Sequence, residues 1–205
     1  MRDGSQLHKI PELASVPDIK SFQDIIKVRD FVYKTVPWFN TPKVKLSYKT
    51  VVENYENFKA KTEGGWCGAN AEYMQLILYW YEVKPRPYNF GIVGHNITHV
   101  GVIVPYDGME FFIDPYLGVY YNHKDGFPLT FQDLMCLISD GKLDHIIPVY
   151  SKELKPAQTD SGWQMMAPEQ LSESVIKTWV DYDKVMNDTF GSTNPLLLMQ
   201  IKIPK

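Results

Sequence analysis

Cysteine is scarce in this chain: Cys67 and Cys136 are the only two among 205 residues. Two cysteines make no disulfide framework, so a reducing compartment is expected. A strong excess of charge of either sign is missing as well. Lys and Arg number 21 against 24 Asp and Glu, with no basic patch or stripe, which argues against a nucleic-acid partner. No run approaches about eighteen consecutive apolar residues, so no membrane span and no membrane partner are expected. The start, Met1-Arg2-Asp3-Gly4-Ser5-Gln6, lacks the apolar region of a secretory signal, and the expected location is cytoplasmic. There is no internal repeat, no low-complexity tract, no His-Glu-x-x-His string and no Asp-rich calcium loop. Metal and cofactor are therefore both expected to be none.

What is present is ample core material: 44% of residues are hydrophobic and 14% aromatic. One domain over 1–205 is expected at this length. The first twenty residues, with Pro11 and Pro17, are expected to be an extended lead-in. Ser21-x-x-Asp24 is a capping box, and Phe22, Ile25, Ile26, Val28, Phe31 and Val32 continue it as a helical stripe. A second helix is expected over Lys49 to Lys59. A third follows Gly64-Gly65 and is apolar nearly all round, as a central buried helix would be. After Pro85 and Pro87 the pattern turns to strands: Tyr88 to Val93, Thr98 to Val104, Glu110 to Asp114 and Leu117 to Tyr121. Thr130 to Asp133 opens a short helix that Gly141 closes. His145 to Tyr150 is expected as a strand, Lys152 to Gly162 as a loop, Pro168 to about Val185 as a helix and Leu196 to Ile203 as a strand. Helices first and an antiparallel sheet after them give the α+β class.

Cys67 is the residue with the clearest chemical setting. It lies where Glu63-Gly64-Gly65-Trp66-Cys67-Gly68-Ala69-Asn70-Ala71 runs into Tyr73 to Trp80. A thiol at a helix N-terminus meets unpaired N–H groups and the positive dipole end, which favour the thiolate. The thiolate is the form that attacks carbonyls. A free Cys is often only apolar filler; the glycine loop, the aromatic neighbour and the helix start favour a nucleophile here. His99 and Asp114 follow in strand-like segments, the order of a nucleophilic cysteine triad.

The turn signal Pro105-Tyr106-Asp107-Gly108 joins the strands that carry His99 and Asp114. A two-residue loop at Tyr106-Asp107, or a four-residue loop from Pro105 to Gly108, puts His99 directly opposite Asp114 on one face. A three-residue loop puts them on opposite faces. Loop length stays open at this level.

Taken together, Gly65-Trp66-Cys67-Gly68-Ala69-Asn70-Ala71, Pro85-Arg86-Pro87-Tyr88, Thr98-His99-Val100-Gly101-Val102 and Phe112-Ile113-Asp114-Pro115 resemble the transglutaminase-like superfamily, whose core is similar to that of papain-like cysteine proteases. Cys67, Ala71, Arg86, His99, Asp114 and Pro115 fall on the family's marks. The resemblance covers roughly 21–121, leaving about 122–205 as a C-terminal elaboration. One departure is Gly101, where many members have an aromatic. The resemblance implies Cys67 as nucleophile, His99 as base and acid, and Asp114 as its orienting partner. It implies a peptide, amide or thioester-type substrate, with hydrolysis or acyl transfer as the outcome. The Gly-Gly-Trp-Cys string also resembles arylamine N-acetyltransferases, although Glu63 stands where those have Arg. A non-catalytic binding module on the same fold is the remaining alternative.

Other residues carry weaker signals. His95, His99 and Cys67 lack the usual spacing of metal ligands. Cys136, on an apolar helix, is expected to be packed, and His123 to sit in a solvated loop. Trp66 and Trp38 are candidates for a groove, with core packing favoured for Trp38.

Overall fold

The computed structural model of the protein describes residues 7, 9–39, 50–91 and 98–171. Helix α1 spans Phe22–Thr35 behind the expected capping box: Ser21 Oγ accepts from Asp24 N, and Asp24 Oδ2 accepts from Ser21 N. The same device starts α2, Val51–Lys59, with Thr50 and Glu53 as the reciprocal pair. Helix α3, Cys67–Trp80, begins without any side-chain cap at Trp66. It ends at Trp80, before Pro85 and Pro87 are reached, with Glu82 in the left-handed region at φ 61°.

Helix α3 is the centre of the core. Tyr73, Met74, Ile77 and Leu78 are buried on it. Tyr73 meets Phe31 of α1 and Phe58 of α2 at ring-centroid distances of 6.2 Å and 5.1 Å. Val102, Val104 and Ile113 close the same cluster from the sheet. Each such side chain contributes about 1.5–3 kcal/mol of burial, so α3 is packed by α1, α2 and the sheet.

The sheet is antiparallel, five-stranded and in chain order: β1 Arg86–Gly91, β2 Thr98–Tyr106, β3 Met109–Asp114, β4 Val119–His123 and β5 Ile146–Tyr150. Helix α4, Phe131–Ser139, crosses between β4 and β5, and Gly141 at φ 71° follows it. Arg29 of α1 is buried and donates from Nη1 to the carbonyls of Gly118 and Val149, at 2.7 Å and 3.1 Å. It ties α1 to the β4–β5 side of the sheet. The class is α+β, as expected, and among the described residues no helix is long and apolar enough to cross a membrane.

Several local expectations need correction. The segment expected as a loop from Lys152 to Gly162 contains β6, Lys155–Thr159, which pairs with β7, Gly162–Met166. Lys155 and Ala157 point inward there, so the strand is anchored by a lysine and an alanine rather than by a hydrophobic run. The lead-in is not simply extended: Leu7, Ile10, Leu13 and Val16 are buried around a 3-10 turn at Leu13–Ser15. The fourth strand runs two residues later than expected. His123 ends it and stacks on Phe127 at 4.8 Å, so it is not a solvated loop residue. Cys136 is exposed, not packed. The expected helix after Pro168 is described only to Leu171; the rest of it, and the strand expected over Leu196 to Ile203, lie outside the described residues.

Candidate active site

The β2–β3 turn is two residues long, with Asp107 and Gly108 at φ 50° and 74° and Tyr106 paired with Met109. Two positive φ values in a two-residue loop are the type I′ geometry that Asp-Gly favours. The register therefore differs from the expected one by two residues. Val102 pairs with Ile113, so Gly101 is the position opposite Asp114 and His99 lies one diagonal step away. A shift of two keeps the face, whereas a shift of one would have lost it. The diagonal is short enough for long side chains to meet.

They do meet. His99 Nε2 lies 2.5 Å from Asp114 Oδ2, with 1% and 0% of the two side chains exposed. Asp114 Oδ1 accepts from the backbone N–H groups of Tyr116 and Leu117 at 3.0 Å and 2.9 Å. Both carboxylate oxygens are thus engaged, and the carboxylate cannot rotate away from the imidazole. The Asp-Pro-Tyr-Leu sequence makes this possible, because the chain turns straight after Asp114 and returns its amides to the side chain.

The missing side chain at Gly101 also has a structural reason. A Cβ there would come within 2.3 Å of the Phe112 ring. Phe112, on the neighbouring strand, occupies the space over the glycine beside the triad. It stacks on Tyr121 with centroids 6.3 Å apart.

Cys67 is the first residue of α3 and is partly buried. The loop before it is pressed against 37–39: Gly65 N donates to Pro37 O at 2.9 Å, and Trp66 Nε1 donates to Phe39 O at 2.8 Å. A Cβ at Gly64 would fall 2.4 Å from that same Pro37 oxygen, which is why glycine stands there. On the open side, a Cβ at Gly68 would meet nothing within 4 Å. Trp66 is 47% exposed. Trp38 is half-buried against the second core cluster and hydrogen-bonds Tyr116.

The thiol of Cys67 is hydrogen-bonded to His99. Because Nε2 faces Asp114, Nδ1 is the ring nitrogen left for the sulfur. Burial pushes the thiol up. The hydrogen bond and charge of His99, together with the Val100 N–H, outweigh that and bring it below the ordinary thiol value. Burial likewise pushes His99 down, while the charge and hydrogen bond of Asp114, then those of Cys67, carry it up to about 10. Both shifts favour the same state, a thiolate beside an imidazolium. No side chain caps α3, so its first-turn N–H groups add to the same preference.

Three residues that sequence reasoning did not single out also belong here. Tyr116 is buried with its ring 5.9 Å from His99, and burial with the neighbouring charges of Cys67 and Asp114 pushes its hydroxyl well up, so it stays protonated. Asn70 is buried one turn after Cys67 and donates to Trp66 O at 2.8 Å. Its i+3 spacing was the available signal. Lys155 is buried beside them, and nothing local in its sequence announces it. Arg86 is elsewhere: it forms an exposed pair with Glu110 at 2.9 Å. His95 lies outside the described residues, and among those described no group of three or more His, Cys, Asp or Glu could hold a metal ion. A separate open groove of about 470 Å³, lined in part by Lys34, Tyr55, Phe58, Lys61, Leu154 and Met165, does not include the triad.

Set beside known proteins, the chain matches no family model, no curated protein and no solved structure.

Proposed function

We propose that the protein is an enzyme of cysteine-dependent acyl chemistry, acting at an amide, peptide or thioester-type carbonyl on a transglutaminase-like, papain-like core. The observation that carries this reading is one arrangement. Cys67 stands at an uncapped helix start and is hydrogen-bonded to His99, which is itself held 2.5 Å from a fully engaged Asp114. Cys67 Sγ attacks the carbonyl carbon, a C–S bond forms, and the carbonyl electron pair moves onto oxygen. The backbone N–H of Cys67, at the uncapped start of α3, is the donor assigned to that oxyanion. The intermediate collapses, the bond to the leaving group breaks, and His99 gives its Nδ1 proton to that group. Water or an amine then attacks the acyl carbon, His99 takes the proton of the incoming nucleophile, the C–S bond breaks, and Cys67 leaves as the thiolate beside the imidazolium. Asp114 keeps the Nε2 proton in place and orients the ring.

The test is direct trapping. The protein is incubated with aryl esters, aryl amides and acyl thioesters, then quenched in acid and weighed intact. An acyl increment on wild type that maps to Cys67, is absent from Cys67→Ala, and is discharged faster by an added amine or by water, supports the reading. Turnover by Cys67→Ala equal to wild type would sink it.

A further inference from the structure

We infer that Lys155 is a positioning residue for the Cys67–His99 pair: its buried side chain fixes the peptide that precedes Cys67 and sets a cation opposite Asp114. The inference rests on the acyl-chemistry reading above and adds a residue from the C-terminal hairpin to it.

The geometry is a chain of hydrogen bonds. Lys155 Nζ, at the start of β6 and 0% exposed, donates to Asn70 Oδ1 at 2.8 Å and to Val36 O at 3.1 Å. Asn70 Nδ2 in turn donates to Trp66 O at 2.8 Å. The Trp66–Cys67 peptide carries that oxygen at one end and the proposed oxyanion N–H at the other. Lys155 therefore reaches the reacting peptide through a single side chain. Nζ also lies over the Tyr33 ring, 4.7 Å from the centroid, and over the Tyr116 ring at 5.7 Å.

The charges fit the same role. The groups facing Lys155 are Tyr33 from α1, Asn70 from α3, and Asp114 and Tyr116 from the end of β3 and the turn after it. Burial holds both tyrosines protonated. Asp114 is the one anion in that set. A thiolate, an imidazolium, the Asp114 carboxylate and the Lys155 ammonium sum to zero. Without the ammonium the buried set is net negative, and a thiolate becomes harder to form. Burial also pulls Lys155 down to about 7, against the opposing charge of Asp114, so the ammonium is present below neutrality and is lost as the pH rises through it.

The experiment is a pH profile of Cys67 alkylation by iodoacetamide, read by peptide mass spectrometry on full-length wild type, Lys155→Met and Lys155→Gln. Loss of the cation shifts the profile to higher pH in both variants, by on the order of one unit. Lys155→Gln, which still offers an N–H to Asn70, loses less of the plateau rate than Lys155→Met. Profiles that fall in height but do not move overturn the inference, because a merely structural lysine behaves that way, while the nucleophile reading stands. A wild-type Cys67 that alkylates no faster than Cys136 at pH 6–7 overturns both. Should neither variant fold, the wild-type curve decides. A one-proton curve refutes coupling to Lys155, and a curve broadened by a second inflection near neutrality supports it.

Discussion

Asp114→Asn reports most directly on the site. The amide keeps an oxygen for the Tyr116 and Leu117 N–H groups, so the turn has its partners. Its nitrogen then faces His99 Nε2 in place of the carboxylate oxygen. An N–H donated to Nε2 keeps that nitrogen unprotonated and leaves the single ring proton on Nδ1, so His99 stays neutral and cannot take the proton of the Cys67 thiol. The magnitude follows from the shift of His99, from 6.5 to about 10, for which Asp114 supplies the leading upward cause. At about 1.4 kcal/mol per pH unit, the imidazolium loses on the order of 4 kcal/mol of stabilisation. Cys67 is left with burial, which pushes the thiol up, and without the cation that brought it down. Alkylation of Cys67 by iodoacetamide at pH 7 is expected to fall by roughly ten- to a hundredfold, with exposed Cys136 as the internal reference. Any acyl transfer should fall by a thousandfold or more, on the order seen when a triad carboxylate becomes an amide. A Cys67 rate within about twofold of wild type would refute the reasoning, because the thiolate would then owe nothing to His99. Linkage gives a second check. His99 is raised in the folded state, so its contribution to stability is fully present below pH 6.5 and is lost as the pH rises through about 10. The variant must therefore lose more stability at pH 6 than at pH 10.5, which urea midpoints at the two pH values measure.

Further outcomes are expected at other positions. Gly64→Ala puts a methyl 2.4 Å from Pro37 O and should cost about 1–3 kcal/mol while slowing Cys67 alkylation; an unchanged melt and rate would show that the loop has room. Gly101→Ala forces the Phe112 ring aside and should destabilise by a similar amount, of which Phe112→Leu recovers part. Strictly additive costs in that double-mutant cycle would deny the contact. Activity should persist in EDTA and be lost to iodoacetamide, since His99 supplies the proton acceptor. Loss in EDTA with recovery on added zinc would reverse that conclusion.

The site was legible where sequence spells out backbone geometry. Gly-Gly-Trp-Cys before an apolar run located Cys67 at a helix start, and Asp-Gly located the hairpin. The register was missed by two residues because Asp107-Gly108, not Tyr106-Asp107, takes the positive φ angles. The same face survived because two is even. The β6–β7 hairpin was missed because Lys155-Pro156-Ala157-Gln158-Thr159 offers only one inward apolar side chain. Its inward lysine is satisfied by residues far along the chain, Val36 and Asn70, so no local pattern marks it. Cys136 was misjudged for the opposite reason. Its helix is apolar, but only Leu134 and Ile138 are buried on it.

The bridge between Trp38 and Ala157 bears on how the protein is made. Trp38 N donates to Pro156 O, and Gln158 N donates to Trp38 O, each at 2.8 Å. The 37–39 stretch that seats the Cys67 loop is thus closed from its other side by residues translated long after Asp114. A ribosome adding about 5–20 residues per second makes Cys67, His99 and Asp114 seconds before residues 156–158. The stretch that seats the Cys67 loop therefore waits for the C-terminal hairpin before both of its sides are closed.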